Sequence, residues 1–182
     1  MAGLGLMRSL WLSRFSKPAG ERVILRHALA TPPRRILELG LGTLVRTERL
    51  LDVVGAAVPT GEIQYVGIDR FESRAPTDPP GVTLKQAHRR LHALARVQLV
   101  PGNIDSALAR VTNHIGTFDL ILISADNDER HLSRSWFFLQ RLSTPRTTTF
   151  VETTRTGASV WSEMPRMRLD ELAAKSVLLR AG

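Results

Sequence analysis

Apolar residues gather in short runs that are separated by longer segments of helical period. Residues 36–39, 63–68, 97–100 and 118–123 are compact runs rich in Ile, Leu and Val. Runs of that length and type suit strands covered on both faces. A fifth run over 147–152 ends at Glu152. Between the runs, apolar residues recur at helical spacing: Leu44, Leu51, Val54 and Val58; then Leu84, Ala87, Leu91 and Leu94; then Ile104, Leu108, Val111 and Ile115; then Leu132, Trp136, Leu139 and Leu142. These stripes predict helices over 43–57, over 83–96, before Gly116 and after residue 128. Upstream, residues 21–30 read as a short helix closed by Thr31-Pro32-Pro33, because neither proline can continue the hydrogen-bond ladder. Downstream, a short helix around 169–175 and a strand over 177–180 are expected.

Strands alternating with helices predict an α/β fold, a doubly wound and mainly parallel sheet with right-handed crossovers. Ligands of such sheets sit at the carboxyl ends of the strands. Here those ends hold Gly40 and Gly42, Asp69, Gly102 and Asn103, and Ser124 and Asp126. The unusual polar residues therefore fall on one edge. The first strand is the most informative, since it runs through Glu38 into Gly40-Leu-Gly42-Thr43 and then into a helix. Such a turn presents backbone N–H groups at a helix N-terminus and lets a ligand approach with no Cβ in the way. A nicotinamide dinucleotide site would need a third glycine and an acid about twenty residues on. Val45 stands at the third glycine's place, and Asp69 comes too late.

Composition narrows the class. The chain has 182 residues, no cysteine, 43% hydrophobic and 23% charged residues. One globular domain over 21–182 with an N-terminal extension over 1–20 is expected. Disulfides and thiolate chemistry are excluded. No apolar run approaches the length of a membrane span, and the expected localisation is cytoplasmic. The net charge of +8 favours acidic partners, but the basic residues are spread along the chain, which weakens a nucleic-acid reading. A stripe of Lys85, Arg89, His92 and Arg96 reads as a solvated helix face. In residues 1–17, Arg8 and Ser9 interrupt the apolar stretch that a secretory signal would need. A membrane-surface helix would need one clean apolar face, which these residues do not show in sequence. An extension that packs on the domain or frays is expected instead. The loop over 70–82 is longer than most connections, as functional loops often are.

From residue 34 to 153 the chain resembles the class I S-adenosylmethionine-dependent methyltransferases. The resemblance rests on Glu38-Leu-Gly40-Leu-Gly42 as the acid-x-Gly-x-Gly end of strand one, on Asp69 closing strand two, and on Phe118-Asp-Leu-Ile-Leu-Ile-Ser-Ala-Asp126 as the segment lining the transfer cleft. It implies a Rossmann-like methyltransferase fold, S-adenosyl-L-methionine as cofactor and methyl transfer to a small, anionic or neutral acceptor. It also implies roles. Glu38, Gly40 and Gly42, with Thr43 in the same turn, would surround the methionine moiety. Asp69 would hold the ribose hydroxyls, Asn103 and Ile104 would lie by the adenine, and Asp126 would face the acceptor. Methyl transfer is an in-line displacement, so positioning does most of the work and is worth up to about 7–11 kcal/mol.

The sequence departs from that family at several points. Leu44 stands where a glycine is usual. Ser124 replaces the acid that is a metal ligand in the metal-dependent O-methyltransferases, so no metal site is expected. Asn127 takes a histidine-like position, and the strand region after strand five is shortened. These departures motivate an alternative, a methyltransferase-like interaction module without catalysis. A nucleic-acid methyltransferase is a third alternative, motivated by the charge alone.

Overall fold

The structure, a computed structural model, describes residues 2–155 and 158–181. Its centre is one six-stranded sheet built from β1 (Arg35–Leu39), β2 (Gln64–Asp69), β3 (Arg96–Pro101), β4 (Phe118–Ile123), β5 (Ser143–Arg155) and β6 (Ala158–Glu163), in the order β3-β2-β1-β4-β5-β6. The first five strands run parallel, and β6 returns antiparallel against β5. Among the described residues, seven α-helices accompany the strands: α1 (Ala2–Phe15), α2 (Arg22–Ala30), α3 (Val45–Gly55), α4 (Leu84–Leu91), α5 (Ile104–Ile115), α6 (Glu129–Arg141) and α7 (Arg166–Ala181). No helix of the described residues is long and apolar enough to cross a membrane.

Strand alternation divides the core into two layers. Ile36, Leu120, Leu122 and Phe150 face one side, where they meet Ile24 and Leu25 of α2 and Leu50, Leu51 and Val54 of α3. Leu37, Leu39, Ile121 and Ile123 face the other side, against Leu108 of α5, Trp136 and Leu139 of α6 and Leu169 of α7. Because both faces are covered, the middles of the central strands are mostly apolar. Glu38 is the exception inside β1, and it is fully buried on the α3 side.

Two features at the C-terminal end differ from expectation. The strand expected over 177–180 is the last turn of α7. Leu169, Ala173 and Ser176 are buried at helical spacing, so the helical stripe outweighs the local β-propensity of Val177. The sixth strand lies instead at Ala158–Glu163, where only Trp161 is buried. Its short mixture of Ala, Ser, Val, Trp, Ser and Glu gives no clean apolar alternation to read. The chain therefore closes its sheet with a β5–β6 hairpin.

Candidate functional site

The turn after β1 alternates left-handed backbone. Gly40 has φ 84°, Gly42 has φ 56° and Leu44, the residue before α3, has φ 70°. Gly40 is needed twice over, because a Cβ there would also lie 2.9 Å from the Ser124 Cβ. The turn is pinned on both sides. The Gly40 N–H donates to Ile68 O at 2.9 Å, and Leu39 O accepts from the Ser124 N–H at 2.9 Å and the Asn127 Nδ2 at 2.8 Å. Leu44 is fully buried, so core packing holds a branched residue in a conformation that costs about 1–2 kcal/mol.

The Glu38 carboxylate lies beneath this turn. Its Oε1 accepts from Arg46 Nε at 2.9 Å and Nη2 at 2.6 Å, and its Oε2 accepts from Thr47 Oγ1 at 2.8 Å and Tyr65 Oη at 2.7 Å. Arg46 also donates to Gly40 O at 2.8 Å and covers the Trp161 ring with its guanidinium carbon 4.6 Å from the centroid. Burial and the neighbouring Glu38 charge push the Tyr65 hydroxyl well above its ordinary range. Both Glu38 oxygens are thus engaged by donors from α3 and β2.

Asp69 ends β2 at the surface of a cleft. Its Oδ2 accepts from the Leu41 N–H at 2.7 Å and Arg74 Nη2 at 2.7 Å, and its Oδ1 accepts from the Phe71 N–H at 3.0 Å and Arg74 Nε at 3.1 Å. Burial alone would raise this carboxyl, but the hydrogen bonds from Arg74, Phe71 and Leu41 hold it below its ordinary range. Arg74 belongs to the long loop after β2, which places a fork of donors on the carboxylate.

The cleft itself has a volume of about 80 Å³ and runs along the carboxyl ends of β1, β2, β3 and β4. Of the residues singled out in the sequence, Gly40, Asp69, Asn103, Ile104 and Asp126 line it. Glu38 is shut beneath the turn, Gly42 is not among the lining residues, and Thr43 is exposed outside the cleft, its carbonyl accepting from Arg90 Nη1 at 3.0 Å. Asn103 precedes α5 without capping it through its side chain. Asp126 is partly buried, and burial together with the Glu152 carboxylate raises its pKa. Asp128 is the cap of α6, accepting from the Arg130 and His131 N–H groups.

Sequence reasoning missed Arg46, Arg74 and Glu152. Glu152 Oε2 accepts from Ser124 Oγ at 2.8 Å and the Ala125 N–H at 3.1 Å, and Ser159 Oγ donates to Oε1. Ser124 thus ties the end of β4 to β5. His131 also lines the cleft, with Nδ1 3.0 Å from Asp105 Oδ1. Among the described residues, no three His, Asp or Glu side chains are grouped to hold a metal ion.

Comparison with solved structures places this architecture. The O-methyltransferase TomG of Streptomyces achromogenes, solved with S-adenosylmethionine, superposes at a TM-score of 0.56 with 18% identity, covering 98% of this chain and 78% of that one. The fold is methyltransferase-like. An O-methyltransferase from Bacillus cereus, solved with S-adenosylhomocysteine, gives a TM-score of 0.57 with 17% identity, covering 98% of this chain and 80% of its own. No protein-family model and no curated protein sequence matches the chain. Identities this low carry the fold and leave the site to be argued from its own residues.

Proposed function

We propose that the cleft binds S-adenosylmethionine and that the chain transfers its methyl group to a small acceptor. One observation supports this reading above the others. Gly40, Asp69, Asn103, Ile104 and Asp126 come from the ends of four different strands or their following turns, yet they line a single cleft. The cradle suits the group: a left-handed glycine where no Cβ fits, a carboxylate at the end of β2, and an apolar side chain at the start of α5. The solved neighbours named above were crystallised with this cofactor or its demethylated product.

The bound sulfonium supplies an electrophilic methyl group, and the protein's task is to position and to manage protons. Asp69 would accept hydrogen bonds from the two ribose hydroxyls in place of the Arg74 fork. Asn103 and Ile104 would flank the adenine. Glu38 acts through Arg46 as a positioning residue for the Gly40 carbonyl and the turn. Asp126, its pKa raised by burial and by Glu152, stands ready to take a proton from an acceptor hydroxyl at its carboxylate oxygens. Arg70 and Arg74 line the same cleft, each paired with an aspartate, Asp78 and Asp69 respectively.

A second reading is a methyltransferase-like module without catalysis. It is favoured by the two arginines that already occupy Glu38, the Gly40 carbonyl and Asp69. Isothermal titration with S-adenosylmethionine and S-adenosylhomocysteine separates the two. The enzyme reading expects saturable binding by the wild type and at least tenfold weaker binding by Asp69→Ala, a loss of about 1.4 kcal/mol or more. If neither the wild type nor Arg74→Ala binds either compound, the non-catalytic reading stands.

A further inference from the structure

The N-terminal helix is inside out. Its buried side presents Ser9, Ser13 and Ser16 at 2–3% exposure, with Leu12 among them. Its outer side presents Met7 at 71%, Trp11 at 58% and Phe15 at 61% exposure, four residues apart and so one above the other, with Leu10 at 41% beside them. Trp11 and Phe15 lie with ring centroids 6.3 Å apart. The inner serines turn back on the helix itself: Ser9 Oγ donates to Gly5 O at 2.9 Å and Ser13 Oγ to Leu10 O at 2.8 Å. A helix placed only between a core and water would carry the opposite pattern. Its largest side chains here point away from the protein.

The charge around this face is of one sign. Arg14 lies within the apolar face and Arg8 on its flank, Lys17 follows the helix, and residues 1–20 contain no acid. Arg8 reaches Asp52 of α3 at 2.7 Å but remains 69% exposed. Two copies meeting through this face would bring Arg14 against Arg14 with no acid of the face to answer it, which opposes self-association. A bilayer with anionic headgroups answers both properties, since it accepts Trp, Phe, Met and Leu at the headgroup boundary and attracts the arginines.

We propose that the outer face of α1, formed by Met7, Leu10, Trp11, Phe15 and Arg14, docks the protein on an anionic membrane surface. The reading is independent of methyl transfer. It also explains why the sequence pattern of α1 looked unresolved: Leu12 packs inward among the serines while Arg14 interrupts the outer apolar residues, so no single clean stripe remains.

The test uses vesicles of phosphatidylcholine alone and of phosphatidylcholine with phosphatidylserine. Of the three tryptophans, Trp136 and Trp161 are buried, so changes in tryptophan emission report Trp11. The expected result is co-sedimentation with the phosphatidylserine vesicles, a blue shift of emission, and weakening as salt rises. Trp11→Ser with Phe15→Ser removes binding. Arg14→Glu keeps the apolar face and the packing and weakens binding on the order of tenfold; being exposed, it also keeps the test valid should the double variant fold poorly. Absence of binding to phosphatidylserine vesicles, or equal binding to both compositions, overturns the proposal. So does a concentration-dependent dimer in sedimentation velocity that Trp11→Ser with Phe15→Ser abolishes, which would assign the face to a second copy.

Discussion

Glu38 and Asp69 sit at equivalent ends of neighbouring strands, and each carboxylate is gripped by an arginine fork. Their surroundings give them opposite parts. Glu38 is fully buried, and its four donors come from α3 and β2, two rigid elements of the core. Asp69 is nearly as buried, at 5% exposure, but it lines the cleft, and its fork comes from Arg74 in the long loop after β2. A buried carboxylate with no water to fall back on cannot release its partners cheaply. One at a cleft wall can exchange an arginine for a ligand's hydroxyls. The pair teaches that an acid at a strand end is a ligand group only when its present partner is free to leave.

The largest expected effect tests the buried side of this contrast. Glu38→Ala leaves the Arg46 guanidinium and the Tyr65 hydroxyl buried without their shared acceptor, and it should cost about 3–5 kcal/mol of unfolding free energy. Urea denaturation reads it directly. A loss below about 1 kcal/mol would mean that Glu38 is no keystone and would erase the contrast. Asp69→Ala should fall less heavily on stability and more on binding. The expected outcome is a loss of about 1–3 kcal/mol in stability with at least a tenfold weaker titration of S-adenosylhomocysteine. If stability falls as far as in Glu38→Ala while the affinity is unchanged, the two acids are alike after all.

Most of the sheet was readable because its strands are buried on both faces. Residues 118–123 are apolar at every position but Asp119, and a run like that has few other places to go. The order of polar strand ends along one edge then follows from topology. What could not be read were partners distant in sequence. Arg46 looks like an ordinary first-turn residue of α3, and Arg74 like an ordinary loop charge. Only the folded backbone brings Arg46 to Glu38 and Gly40 O, and only the course of the loop brings Arg74 back to Asp69. Leu44 misleads in a different way. Its left-handed φ matches what a glycine would adopt, so the turn keeps a glycine-like backbone without the glycine. β6 and the outer face of α1 were hidden for a shared reason, that the period of a pattern says little when an element buries almost no apolar side chains.

Acid titration sharpens the contrast on the Asp69 side. Its carboxyl is held below its ordinary range in the folded chain, chiefly because the Arg74 fork and two backbone N–H groups outweigh burial. The unfolded chain takes up the same proton near pH 3.9. The carboxylate therefore contributes its full stability above that value and loses it as pH falls through the folded value. Asp69→Asn should flatten the acid limb of stability against pH relative to the wild type. Parallel acid limbs would show that the fork on Asp69 does not favour the ionised form.

Arg74→Ala is expected to produce the smallest change, and its sign is what matters. Removing the guanidinium takes away two donors from Asp69 but leaves the Leu41 and Phe71 N–H groups on the two oxygens. Asp69 stays half satisfied and faces the cleft, so the stability loss should be about 1 kcal/mol, well short of that for an acid stranded in a core. For binding, two effects oppose each other. The vacated oxygens no longer need to be freed, which favours a diol, while the cleft loses positive charge near Asp69. If Arg74 is the exchangeable partner that its loop position suggests, the first effect wins, and S-adenosylhomocysteine should bind a few-fold more tightly than to the wild type. Arg46→Ala provides the opposite sign: it undoes the Gly40 carbonyl and the buried Glu38 together, so both stability and affinity should fall. A matched loss of affinity in Arg74→Ala and Arg46→Ala would make Arg74 a fixed part of the cleft wall, and the ribose would then need a seat other than Asp69.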